Sequence, residues 1–244
     1  MKRREYGQFC GLARAAEVLG QRWTLLILRD LLVEPRRYSD LRSGLPGIPT
    51  NILATRLKEL EADGLVVRVA RGGSDRSVVY SVTPRGKDLG PVLEAMARWG
   101  AADMRAPREG EVVTDASLVT ALRVAATDGA QRLSPVSFTV KVADAAAHAT
   151  ITDRGVEVRP GEHPDPDMVI VGGPAFRDFL AGAIDPRTAV RDGAVVLQHG
   201  GPKLLDTFAA VFHVPLLTSP AGLANPTQAI RPDRRPHHRK EPTA

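Results

Sequence analysis

Three groups of side chains in this sequence could do chemistry, and each implies a different partner. Asn51, Thr55 and Lys58 recur at three- and four-residue spacing and, at 100° per residue, share one helix face with Ala62, opposite Leu53, Leu57 and Leu60. Small, amide-bearing and cationic groups on one face match the donors and acceptors that base edges offer in a major groove. Thr50 opens that face and Arg56 lies on its flank, where a phosphate would sit. An ordinary solvated face is the alternative, although such faces more often carry several carboxylates. The second group is one residue, Cys10, at the start of an apolar helix, either a small packed side chain or a thiol open to oxidants.

The third group is His163, Asp165 and Asp167, which alternate along a proline-broken loop. Oxygen-rich metal sites need more convergent ligands, so no metal is expected. His199 and His213 have no nucleophile paired with them in the pattern, and Gly200-Gly201-Pro202-Lys203 lacks the spacing of a phosphate-binding loop. Neither an enzyme nor a bound cofactor is expected.

The candidate base-reading face needs a scaffold. Leu12, Ala15, Ala16 and Leu19 recur at helical spacing up to Gly20, and Trp23, Leu26, Ile27, Asp30 and Leu31 mark a second helix ended by Glu34-Pro35. Ser39 is placed to cap a short third helix that stops at Gly44-Leu45-Pro46-Gly47. The fourth, polar helix runs from about Thr50 to Asp63. Two β-rich runs follow, Leu65–Val69 and Ser77–Val82, joined by a basic tip with Arg71 and Arg76. Three helices, a polar fourth and a basic hairpin predict a winged helix-turn-helix, with the wing arginines on the adjacent phosphates or minor groove. Thr83-Pro84 then opens a helix whose Val92, Ala95, Met96 and Trp99 form an apolar stripe, read either as a homodimer interface or as packing within the domain.

Residues 10–100 resemble the HxlR branch of the winged-helix regulators, relatives of the MarR family. The resemblance rests on Cys10, Trp23 to Leu31, Tyr38-Ser39-Asp40-Leu41, Leu45-Pro46-Gly47-Ile48, Arg56 to Leu60, Asp63 to Val66, Tyr80 to Pro84 and Arg98-Trp99-Gly100, in that order. It implies a dimeric bacterial transcription regulator that binds double-stranded DNA, and in some members a redox sensor at the position of Cys10. Gly11 stands where that family usually has Pro.

Residues 112–218 change character. A helix from Ala116 to Thr127, strands at Val136–Val142, Ala147–Thr152, Val156–Pro160 and Asp167–Val171, a helix with Phe176, Phe179 and Leu180, a strand at Ala194–Gln198 and a helix from Pro202 to Phe212 predict an α+β layer. That order resembles the sterol-carrier-protein-like fold, which implies an apolar effector between sheet and helices. The lining would then be Val140, Ile151, Ile170, Phe176, Phe179, Leu180, Phe208 and Phe212; core packing alone is the alternative.

Charge divides the same way. Residues 1–105 carry 18 basic and 12 acidic side chains, 106–220 carry 10 and 14, and 221–244 carry 5 and 2. The expectation is a basic DNA-binding and dimerisation domain, an acidic ligand domain over 112–218 and a disordered basic tail over 221–244. No apolar run approaches a membrane span and no secretory segment is visible, so a cytoplasmic regulator, more specifically a repressor, is expected, without membrane association. Two alternatives stand: an apolar-ligand carrier whose winged domain only dimerises, and a regulator that senses oxidants through Cys10.

Overall fold

The computed structural model describes residues 5–72, 77–104, 107–127 and 134–214. The tail expected to be disordered lies outside them, as does Arg76. Apolar side chains gather in two cores, one in the first hundred residues and one after residue 117.

The first core is built by α1 (Gly11–Leu19), α2 (Thr24–Val33), α3 (Tyr38–Gly44), α4 (Thr50–Ala62), the antiparallel pair β1 (Val66–Ala70) and β2 (Val78–Val82), α5 (Pro84–Lys87) and α6 (Gly90–Ala102). Gly64, at φ +67°, turns the chain from α4 into β1, a conformation that glycine adopts without strain. Arg36 exchanges two backbone hydrogen bonds with Tyr80, of 3.0 and 2.8 Å, adding a short third rung to the wing sheet.

Local chemistry moves three of the expected boundaries. Arg37, not Ser39, holds the N-cap of α3: its N–H donates to Asp40 Oδ2 at 3.0 Å, while Ser39 Oγ donates to the other oxygen. The helix opened by Thr83 stops at Lys87 and a new one starts at Gly90, because Pro91 has no N–H to extend the first. On α2 the buried residues are Thr24, Ile27, Leu28, Asp30 and Leu31, whereas Leu26 faces solvent. The stripe is broader than one face because α2 is covered from two directions, by the wing and α6 and by a helix of the second core.

That helix is α7 (Asp115–Ala125), started by a capping box in which Thr114 Oγ1 and the Ser117 N–H, and Ser117 Oγ and the Thr114 N–H, bond reciprocally. After it come β3 (Val136–Val142), β4 (Ala145–Thr152), β5 (Gly155–Pro160), β6 (Met168–Gly172), α8 (Phe176–Leu180), α9 (Pro186–Arg191), β7 (Val195–His199) and α10 (Pro202–Val211). The strands form one sheet in the order β5-β4-β3-β6-β7, with β3 and β6 parallel and all other pairs antiparallel. Ala145, Ala147, Ala149 and Ile151 alternate inward along β4, and the three small side chains let α7 lie close. Helix α9 has no counterpart in the expectation from sequence. It is a single turn and a half with only Ala189 buried, held at its start by Asp185 Oδ1, which accepts from the Arg187 and Thr188 N–H groups.

The loop from Gly161 to Asp167 crosses the outer face of the sheet to reach β6. It is fastened there by the Gly161 N–H on the Ala146 carbonyl and the His163 N–H on Thr139 Oγ1 at 3.0 Å. Ser137 Oγ and the Ser137 N–H both donate to Asp167 Oδ2, at 2.7 and 2.8 Å. These bonds hold the Asp167 carboxyl below the usual carboxylate range. Ser137 and Thr139 are therefore buried although polar, and β3 is covered on both faces where alternation suggested a half-buried strand.

The close joint between β6 and β7 makes one glycine indispensable. A Cβ on Gly173 would stand 2.1 Å from the Gly193 carbonyl oxygen, and the Gly173 N–H already donates to Ala194 in the same strip of backbone. Gly173→Ala is expected to destabilise the protein by about 1–3 kcal/mol, read as a lower urea midpoint at unchanged slope.

Candidate nucleic-acid interface

Leu53, Leu57 and Leu60 are at most 2% exposed, and their burial fixes the rotation of α4 about its axis. Thr50, Asn51 and Lys58 consequently stand in solvent on the opposite side. Thr55 is half-buried, and its Oγ1 donates to the Asn51 carbonyl at 2.8 Å, so its proton is spent on the helix. Pro49 is the N-cap and offers no side-chain acceptor to the first N–H groups of α4. Those donors, at the positive end of the helix dipole, are open to a phosphate.

Arg56 departs from the expected flank position. Its side chain is 12% exposed and pairs with Glu59 one turn on, with Nε buried and without a hydrogen-bond partner. It lines α4 instead of reaching out beside Asn51. In the wing, Arg71 is exposed at the end of the hairpin, with its N–H on the Ser77 carbonyl at 2.9 Å. Arg68 lies over the Tyr80 ring at 5.8 Å and keeps its charge on the wing surface.

Two positioning devices escaped sequence reasoning. Tyr38 Oη donates to the Thr50 carbonyl at 2.8 Å and ties α3 to the first turn of α4. Asp30 is fully buried, and Arg29 donates to its Oδ1 from Nε at 2.8 Å, with Nη2 at 2.7 Å. Burial raises the pKa of this carboxyl, and the neighbouring charges of Arg29 and Arg36 oppose the rise. The backbone of Arg36 pairs with Tyr80, so the second of these cations stands where the chain passes from α2 to the wing. An aspartate inside an otherwise apolar helical stripe was the available signal.

A second exposed surface is apolar. Phe9 and Leu12 at the start of α1 and Val92, Met96 and Trp99 on α6 are all well exposed, with Trp99 at 78%. Cys10 lies among the first of these and is itself exposed.

In the second core, Val140, Ile151, Ile170, Phe176, Phe179, Leu180, Phe208 and Phe212 all fall in one buried cluster. Phe208 is the hub of its rings, meeting Phe138, Phe179 and Phe212; Phe138, absent from the expected lining, meets Phe208 and Phe212 edge-on, with centroids 5.4 and 6.4 Å apart. Phe179 stacks on Phe208 at 6.2 Å, and Phe208 and Phe212 are 4.6 Å apart. Two clefts, of about 300 and 400 Å³, lie at the seam between the cores. His163 and Asp167 serve the loop, and no group of three or more His, Cys, Asp or Glu side chains suited to a metal ion occurs among the described residues. Nor does any helix among them have the length and apolarity to cross a membrane.

Comparison with known proteins places the first core. Residues 18–107 match the family described as HxlR-like helix-turn-helix. The HTH-type transcriptional regulator sll1512 of Synechocystis is 36% identical over 96 residues, which are 39% of this chain and 71% of that one. The HTH-type transcriptional regulator YvaP of Bacillus subtilis is 36% identical over 86 residues, 35% of this chain and 80% of its own. Among solved structures, the reduced form of the regulator YodB from B. subtilis is 33% identical, covering 38% of this chain and 92% of that one with a TM-score of 0.35. With its buried leucine face, outward polar face and adjoining wing, the chain belongs to the HxlR-like helix-turn-helix family of transcriptional regulators.

Proposed function

We propose that the protein acts as a dimeric repressor that inserts α4 of each copy into the major groove. The observation that carries this reading is the outward face of Thr50, Asn51, Thr55 and Lys58 beside an uncapped helix N-terminus. Asn51 suits adenine, Lys58 suits guanine or a phosphate, and Arg71 and Arg76 extend the contact along the wing. Arg56 supports the helix through Glu59 and stays off the DNA.

The exposed apolar residues of α1 and α6 supply the dimer contact. Apolar side chains this large raise the free energy when they stand in water and lower it when a second copy covers them. Two-fold pairing would set the recognition helices about 34 Å apart, one turn of DNA. We read the second domain as sterol-carrier-like from its order of helices and strands. An apolar effector there would have to part Phe179 from Phe208, and native mass spectrometry reads chain number and any retained ligand together.

A second reading, control by thiol oxidation, draws on the exposure of Cys10 beside the apolar face. Under it, Cys10→Ser retains DNA affinity and loses the response to a thiol oxidant; a retained response excludes it. For the DNA assignment, Lys58→Ala is expected to weaken operator binding and to reduce the slope of log affinity against log salt by about one, in fluorescence anisotropy across a salt series. Unchanged affinity and slope would refute the contact. Asn51→Ala should cost about 1–3 kcal/mol and relax the preference at one base pair. Trp99→Asp is expected to convert the sedimenting species from dimer to monomer at micromolar concentration.

A further inference from the structure

Arg123, on α7, makes its contacts with both halves of the molecule. Its Nη2 donates to the Val158 carbonyl of β5, the edge strand of the sheet, at 3.0 Å. Its Nη1 reaches the Leu32 carbonyl at 3.5 Å, in the last turn of α2. Carbonyls there have no helical N–H to accept from, and a cation faces the negative end of the α2 dipole. The guanidinium is half-buried, which lowers its pKa, while the carboxylates of Glu94 on α6 and Glu157 on β5 counter the loss of solvent. Around it, Val33 of α2 and Ala101 of α6 pack against the second core, whereas Leu89 and Leu93, toward the other end of α6, pack against the first. Helix α6 is thus seated in both cores, and its remaining face carries Val92, Met96 and Trp99.

We propose that Arg123 is a positioning residue for DNA binding: by clasping the end of α2 to α7 and the sheet, on which the end of α6 is also seated, it fixes how α2, the recognition helix and the wing are held relative to the exposed face of α6, and so the spacing of the two recognition helices in the dimer. The proposal rests on the dimer reading above. A dimer whose winged units swing freely binds two half-sites almost independently of their separation. One whose units are held binds one separation best, because any other must distort protein or DNA.

The test uses the full chain and an operator selected from random duplex DNA, with affinities measured for that operator, for the same half-sites separated by an extra half turn, and for a single half-site. The wild type is expected to prefer the selected spacing by about tenfold or more, and Arg123→Gln to reduce that preference to about threefold, with single half-site affinity unchanged. Arg123→Lys keeps the cation but cannot hold both carbonyls at once, and should fall between the two. Should Arg123→Gln fail to fold, Arg123→Lys carries the test. A spacing preference equal to that of the wild type, or an equal loss on the operator and on the single half-site, would overturn the proposal. A wild-type chain that sediments as a monomer on its operator would overturn the dimer reading and the proposal with it, whereas a dimer with unaltered spacing preference overturns the proposal alone.

Discussion

The burial of Leu53, Leu57 and Leu60 is the constraint from which the rest of the first domain follows. Exposing three leucines would cost several times the roughly 1 kcal/mol of a typical helix-surface interaction, so α4 has a single stable rotation. Once it is set, the polar side chains have only one direction to face. Tyr38 fixes where the helix begins, Gly64 turns the chain into the wing, and the Arg36–Tyr80 backbone pair holds the wing to the segment that follows α2. Hydrogen bonds and charges here refine an orientation that apolar burial has already chosen.

The second domain solves a different problem. Its sheet has β3 and β6 side by side and parallel, and the chain makes this crossing with a loop laid over the outer face instead of a helix. Backbone groups in that loop need partners, and Ser137 Oγ and Thr139 Oγ1 accept from the Asp167 and His163 N–H groups, which explains polar side chains buried at the middle of a sheet. On the inner face the aromatic rings touch one another, with Phe208 at their centre. Those ring contacts are what any ligand entering this layer must replace with contacts of its own.

How much of this was legible follows from the range over which each determinant acts. Periodicity disclosed α4, the wing strands and nearly all of the second sheet, because a repeated inward residue leaves a repeated mark. For Arg56 the pairing with Glu59 lies at the i,i+3 spacing that a helix dictates, but the burial of its side chain to 12% exposure depends on neighbouring elements that spacing does not encode. The break between α5 and α6 was visible in Pro91, but the apolar stripe beyond it masked the stop. Helix α9 buries too little to leave a pattern. Phe138 alternates inward along β3, yet its ring contacts with Phe208 and Phe212 depend on a helix some seventy residues away in sequence, which alternation does not encode. Double coverage of α2 blurred its stripe, since each side is buried by a different domain.

That double coverage also decides which positions of the winged part are interior. YvaP and the Synechocystis regulator are matched over most of their lengths by the winged part of this chain alone. A chain ending after α6 would leave Val33 and Ala101 without the core they pack against here, and the Leu32 carbonyl without Arg123. Positions of α2 and α6 that a winged unit alone would expose are interior here, and tolerate substitution only in step with α7.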